Sequence, residues 1–402
     1  MKQLFVTALL LALCSPVMAA AEVTPTGQVG LRYRGFFLVD GPDSELYDNR
    51  PETDVRLGAR MTDPDLLLRA DIVVAVGDGR APSQRWTLLP AFGAADTLHI
   101  DTASVGWGFD AIPELEVRIG RAAVPWVHSG LVWDEDVRLP GLHARYVRLG
   151  KAGSTLQQLR ITPGYLYLSA GGVTPNDEAW AIAGEVGATL ALGTAELDVD
   201  LGTFHLLGHR HLGRAIARGD VRVGPNTAGF TRNTTPTDAD PDALELTQRL
   251  GRDGFASRFH LVTVHLELGF DLADDLPGAV ALSGVVNLGA DGPGADLPLG
   301  VVLAFVIGDA AQPGDGEIAL EGLFIGADAT LDVFNRDVWG TNIAGGGVRA
   351  AFVPWTGLTV AFRTLLSVPA DKDRRALGQA RGELGQGDEL AVQIHASTSY
   401  AF

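Results

Sequence analysis

The chain has 402 residues, 46% of them hydrophobic, and a formal net charge of −18. That charge disfavours nucleic acid and anionic surfaces as partners. With Cys14 as the only cysteine, a disulfide framework is excluded. Past the first residues, no stretch approaches the roughly 18 apolar residues of a membrane-spanning helix.

The amino-terminal segment MKQLFVTALLLALCSPVMAAA reads as an export leader over residues 1–21. Lys2 gives it a basic start, Leu4 to Leu13 an apolar stretch too short to span a bilayer, and Ala19 or Ala21 a small-residue cleavage site. Leu13 is too bulky for the residue before a lipidated cysteine, which argues against a lipoprotein. Cleavage removes Lys2 and Cys14, so the exported part, residues 22–402, must hold together by burial and hydrogen bonding. Soluble chains of that size usually divide into two domains, but no linker divides this one.

From residue 27 onward the hydrophobicity alternates with period two, the signature of strands. Val29, Leu31, Tyr33 and Phe37 oppose Arg32 and Arg34. Val55, Leu57 and Ala59 oppose Asp54, Arg56 and Arg60. Ala70, Ile72 and Val74 oppose Arg69 and Asp71. Sixteen such runs follow one another, near 27–39, 52–61, 64–77, 95–109, 114–123, 140–151, 155–170, 179–192, 194–206, 255–269, 278–290, 298–311, 316–330, 341–353, 356–369 and 389–402. Most are longer than the five or six residues, about, of a soluble sandwich strand and match the roughly 9–11 of a tilted transmembrane strand.

The connections alternate as well. The long set includes 40–51, 78–94, 124–139, 171–178, 207–254 and 370–388. The short set includes Thr62-Asp63, 110–113, 152–154, Gly193 and 312–315, with FDLADDLP (270–277) its longest member. Outer-membrane barrels show this asymmetry, with tight periplasmic turns and longer external loops. In lipid every backbone N–H and C=O needs a partner, so a spanning sheet must close on itself. The expected fold is therefore all-β: one transmembrane antiparallel β-barrel of about sixteen strands. Trp107, Phe109, Trp180, Phe270, Trp355, Tyr400 and Phe402 fall near strand ends, as interfacial girdles do.

The chain ends LAVQIHASTSYAF, and Tyr400 and Phe402 on this last alternating strand resemble the assembly signal of outer-membrane barrel proteins. A closer resemblance lies in residues 101–146. Gly120-Arg121, Pro125, Leu131-Val132-Trp133-Asp134-Glu135-Asp136 and Gly141-Leu142 are similar to a "GR…P…LVWDxD…GL" pattern of the porin family of Gram-negative outer membranes. Beyond Gly150 only the barrel rhythm matches. The resemblance implies a passive porin and supplies no substrate.

Within such a barrel the predicted lumen wall carries Arg32, Arg34, Arg56, Arg60, Arg69 and Arg118 beside Asp54, Asp65, Asp71, Glu114 and Glu116. Opposed charge across a water-filled passage sets up a transverse field that favours dipolar solutes. By strand count, Val124 to Leu139 is the third long connection, which in sixteen-stranded porins commonly folds inward by analogy with the class. Trp126, His128 and Trp133 are candidates for its apolar anchor and rim, and Asp134, Glu135 and Asp136 for carboxylates facing the arginines. An external loop with a buried tryptophan pair is the alternative.

The expected partners are outer-membrane lipid, the barrel-assembly machinery and small hydrophilic solutes. Trimers are usual for sixteen-stranded porins, again by analogy. No cofactor, metal or catalytic residue is expected. His209 and His211 share a face only if extended and lack a third ligand. Residues 237–245 lack the spacing of a calcium loop, and 207–254 reads as an external cap. Two other readings stay open: a barrel hydrolase, and a plugged structural barrel that binds a partner through its loops.

Overall fold

The computed structural model describes residues 21–38, 46–77, 87–88, 97–126, 130–134, 137–170, 178–217, 255, 257–273, 276–291, 297–331, 341–370 and 390–402. The predicted leader lies outside these residues. Sixteen long strands form a single antiparallel sheet: β1 (Glu22–Leu38), β2 (Leu46–Asp63), β3 (Leu68–Gly77), β5 (Thr97–Gly108), β6 (Leu115–Ala123), β7 (Arg138–Leu149), β8 (Leu156–Ala170), β9 (Glu178–Leu192), β10 (Ala195–Leu207), β11 (Phe259–Ala273), β12 (Leu276–Asn287), β13 (Leu299–Gly308), β14 (Gly316–Ile325), β15 (Ile343–Trp355), β16 (Leu358–Pro369) and β17 (Ala391–Ala401). A two-residue β4 (Thr87–Leu88) adds to β2 opposite Thr53 and Glu52. Among the described residues one helix, α1 (His209–Ala217), follows β10.

Each long strand pairs with the next, and β17 pairs back onto β1 from Gln28↔Ala401 to Leu38↔Ala391. The sheet is a closed barrel, and closure satisfies the backbone groups that an open edge would leave bare. The carboxyl terminus completes the seam. Gly27 and Phe402 exchange backbone hydrogen bonds of 2.9 and 3.0 Å, and the Phe402 ring lies across Gly27, leaving no room for a Cβ there.

Alternation gives the wall two faces. Val29, Leu31, Leu57, Ile72, Ile119, Ile182, Leu201, Leu303 and Leu320 point outward and are exposed, while Arg32, Arg34, Glu52, Asp54, Arg56 and Asp71 point inward and are buried. A water-soluble protein shows the reverse. An outward apolar band around a polar interior is the pattern of a barrel in lipid. Trp107, Phe109, Trp180, Trp355, Tyr400 and Phe402 are all exposed near strand ends, and Tyr400 stacks beside Phe402 at 6.2 Å.

The sixteen strands fall where the periodicity puts them, with three revisions. Most of 270–277 is strand rather than connection: β11 and β12 stay paired to Ala273↔Leu276 despite the acids and proline, and residues 274–275 lie outside the described residues. The run 64–77 begins with a turn over residues 64–67, where the Asp63 carboxylate accepts from the amides of Asp65 (3.0 Å) and Leu66 (3.1 Å). Asp65 therefore lies in a turn and not on the wall, and Glu114 likewise precedes β6. The run 316–330 is not one strand. β14 stops at Ile325, Gly326 packs against the backbone of Leu297, and Ala327 to Leu331 leave the sheet fully buried.

Candidate functional site

The interior is uneven along the barrel. At the end bearing the long connections, the inner wall of β8 to β16 is apolar, with Leu166, Leu168, Ala179, Ala181, Phe204, Leu206, Phe259, Leu261, Leu323 and Ile325 in one buried cluster. Three connections dock on it from within. The first is 124–137, which leaves β6 and re-enters at β7. Trp126 stacks on Trp133 with centroids 5.7 Å apart, and both meet Phe204 edge-on at 5.1 and 5.9 Å. The Trp126 indole N–H donates to the Thr162 carbonyl on β8 at 3.0 Å. Leu131, Val132 and Val137 are buried in the same cluster. The described residues of the segment thus lie against the inner wall, and Asp134 is buried. His128, Glu135 and Asp136 lie outside the described residues.

Gly164 is the seat of this docking. A Cβ there would stand 3.0 Å from the Trp126 ring and 3.3 Å from the His143 Cβ. Gly164→Val is expected to displace Trp126 at a cost of about 1–3 kcal/mol, the usual penalty of overpacking. The checks are a loss of near-ultraviolet tryptophan circular dichroism and faster protease cleavage within 124–137.

The second and third inward pieces are Phe255 with Ser257, and Ala327 to Leu331. The Ser257 hydroxyl hydrogen-bonds to the Asp328 carboxylate. The Asn287 amide donates to the Asp328 carbonyl at 2.9 Å, and the Asn287 carbonyl oxygen accepts from the amides of His260 and Gly289, each at 3.0 Å. Ser257 and Asp328 are completely buried. The three side chains tie three chain segments together, and each of the three is hydrogen-bonded, as burial demands.

Charge lines the remaining interior. Arg32 Nε donates to Glu52 at 2.7 Å, and Arg34 stands 3.8 Å from the same carboxylate. Arg56 bridges Asp54 at 3.0 Å and Asp101 at 3.6 Å. Nearer the short turns, Arg60 (2.7 Å), Arg69 (3.1 Å) and Arg118 (2.9 Å) converge on Asp71, and Arg118 also holds Glu116 at 2.8 Å. Every early-strand arginine of the predicted wall is therefore in an ion pair, as are Asp54, Asp71 and Glu116. At the short-turn end this wall borders a cleft of ≈560 Å³ lined by Glu22, Arg69, Glu114, Glu116 and Arg145 among others.

The charge does not end with the early strands. Arg160 on β8 reaches Asp198 at 3.0 Å and Asp200 at 2.9 Å on β10. Glu321 on β14 accepts from Arg363, and Arg349 pairs with Glu317 at 2.8 Å. Cross-strand register then aligns basic residues over the seam: Arg349 opposes Arg363, Arg363 opposes His395, and His395 opposes Arg34. Like charges directly opposed repel, and Glu321, Glu317 and Glu52 offset that repulsion. A sequence signal existed in the inward parity of each strand. What it lacked was the register that brings them into a row.

His209 and His211 lie in α1, not in an extended segment, so two residues' spacing turns them to different sides. Among the described residues no group of three His, Cys, Asp or Glu side chains is arranged to hold a metal. The acidic stretch 237–245 lies outside the described residues.

No protein-family model matches the sequence, and no curated protein matches it. Solved structures do. OprB of Pseudomonas putida at high pH is 11% identical, with 94% of each chain covered and a TM-score of 0.57. A loop-deletion mutant of OmpT, an outer-membrane protein of Vibrio cholerae, is 12% identical over 95% of this chain and 100% of that one, with a TM-score of 0.50. An anion-selective porin from Comamonas acidovorans is 12% identical over 95% and 100%, with a TM-score of 0.48. The chain thus shares the fold of these outer-membrane β-barrels. At these identities what the chain shares is the fold, a closed sixteen-stranded barrel, and the resemblance carried by residues 101–146 points to the same architecture.

Proposed function

We propose that the protein is an outer-membrane porin, a passive diffusion channel for small hydrophilic solutes or ions. The observation that carries this reading is the interior: a sixteen-stranded barrel is wide enough for an aqueous passage, and here it is lined by opposed arginines and carboxylates. Residues 1–21 act as the export leader, the long connections face outside, and Tyr400 and Phe402 serve the assembly machinery. In this reading 124–137 narrows the passage from the apolar side, and Asp134, Glu135 and Asp136 with His128 form its rim towards the wall of β1 to β6.

Stepwise conductance of purified, folded protein in planar bilayers tests the channel. Asp71→Asn removes the carboxylate shared by Arg60, Arg69 and Arg118. The reversal potential in a salt gradient is expected to move towards anions, because lumen charge rather than total charge sets selectivity. An unchanged potential would remove the early-strand wall from the conducting path. Neutralising Asp134, Glu135 and Asp136 together tests the loop in the same way.

One observation favours a second reading, a plugged barrel. The apolar cluster fills the interior beside β8 to β14, and the charges of Arg32, Glu52 and Asp54 are buried with it. Persistent electrical silence from well-folded protein would select that reading. No hydrolytic step is proposed, since the buried Ser257–Asp328 pair is out of reach of a substrate.

A further inference from the structure

The outward face changes character beside α1. Where β10 and β11 run out into the 208–258 connection, Phe204, Leu206, Phe259 and Leu261 fill the interior. His205, Arg258 and His260 alternate with them and so face outward. His205 and His260 are directly opposed, with ring centroids 4.0 Å apart. Arg258 is exposed. At the head of α1 the His209 imidazole is held down to about 4, by burial first and then by Arg210, Arg258, His211 and His260; every charge acting on it is positive. A basic cluster of this kind favours an anion.

The rim of the cluster is apolar. Ile182 opposes His205 and Trp180 opposes Leu207 on the neighbouring strand, while the Leu288 amide donates to the His260 carbonyl. Trp180, Ile182 and Leu288 are 38%, 53% and 70% exposed. A soluble anion would meet Arg258 and the imidazole N–H groups and leave these side chains in water. A lipid headgroup meets both needs: phosphate to the Arg258 guanidinium by charge-assisted hydrogen bonds and to the imidazole N–H donors beside it, acyl boundary to the apolar rim.

We propose that His205, Arg258 and His260 seat the phosphate of a phosphorylated lipid at the long-loop edge of the barrel, with Trp180, Ile182 and Leu288 against its apolar part. The inference rests on the membrane reading above but not on conduction. Folded protein in detergent is mixed with a phosphorylated glycolipid or its dephosphorylated counterpart, and bound lipid is counted by native mass spectrometry. The phosphorylated form is expected to bind at least tenfold tighter. His205→Gln/Arg258→Gln/His260→Gln should erase about tenfold or more of that preference, given the usual strength of hydrogen bonds to charged groups, and Arg258→Lys should keep most of it. Equal retention of the two lipids, or no effect of the triple variant, would overturn the proposal. So would displacement by inorganic phosphate at the lipid's own concentration, or stoichiometric Zn2+ binding without lipid preference. Conductance of the same preparations reports on the channel separately: a silent barrel that keeps its lipid preference sinks the porin reading alone.

Discussion

Trp133→Ala is expected to release residues 124–137 from the inner wall and raise single-channel conductance. Trp133 is among the largest fully buried side chains, it stacks on Trp126, and its ring meets Phe204. Truncating a buried tryptophan costs about 3–5 kcal/mol, from lost transfer free energy and the cavity left behind. Here the loss falls on a contact between a loop and a wall. The barrel's own ladder of strand pairs does not pass through it. The loop should therefore undock at little cost to the barrel, and two measurements should separate: conductance and its noise increase, while the gel-mobility shift of the heated barrel keeps its midpoint. Unaltered conductance would mean that the segment lies beside the passage without limiting it. A collapsed midpoint would mean that the interior cluster is a structural core, as the plugged reading requires.

Much of this architecture is legible in the sequence, because lipid and water impose opposite demands on alternate residues. GLRYRGFFL declares its faces: Leu31 and Tyr33 outward, Arg32 and Arg34 inward. The inward loops were harder to see because the same code fails when both faces are apolar. In AWAIAGEV the luminal Ala179, Ala181 and Ala183 are nearly as apolar as the outward Trp180, Ile182 and Val186. Until Glu185, period two survives there only as a difference in size, so a dry interior surface that can receive a loop leaves little trace. Residues 327–331 continued the rhythm of β14 for a related reason: ADATL alternates like a strand, and only the close approach of Gly326 to Leu297 turns it inward. DLADDLPG misleads in the other direction, since Asp, Pro and Gly mark turns by preference, yet Asp271 pairs with Pro277 and Phe270 with Gly278. The pairing of Arg160 with Asp198 and Asp200 depends on which strands are neighbours and at what offset, which one strand's sequence does not contain.

That last network should dominate stability on the charged side. Arg160 donates to Thr189 at 2.9 Å as well as to Asp198 and Asp200, and Thr189 in turn donates to Asp198 at 2.6 Å. Asp200 is almost completely buried, and the Arg160 side chain is about one-tenth exposed. Removing one partner from such a group leaves the other charge uncompensated in a region poor in water. Arg160→Ala is expected to cost about 3 kcal/mol, the lower end of the range for broken buried pairs, because Asp198 retains some solvent contact. It should also strip a cation from the wall and move the reversal potential towards cations. Two readouts then distinguish scaffold from selectivity filter. Adding Asp198→Asn and Asp200→Asn removes the stranded carboxylates, so the thermal midpoint of the barrel should recover most of its loss. The same triple variant should also be less cation-preferring than Arg160→Ala alone. If the midpoint stays low in the triple variant, what Arg160 contributes is packing and its bond to Thr189, not charge compensation. If the midpoint recovers and the reversal potential never moves in either variant, the network holds β8 to β10 together away from the path of the ions.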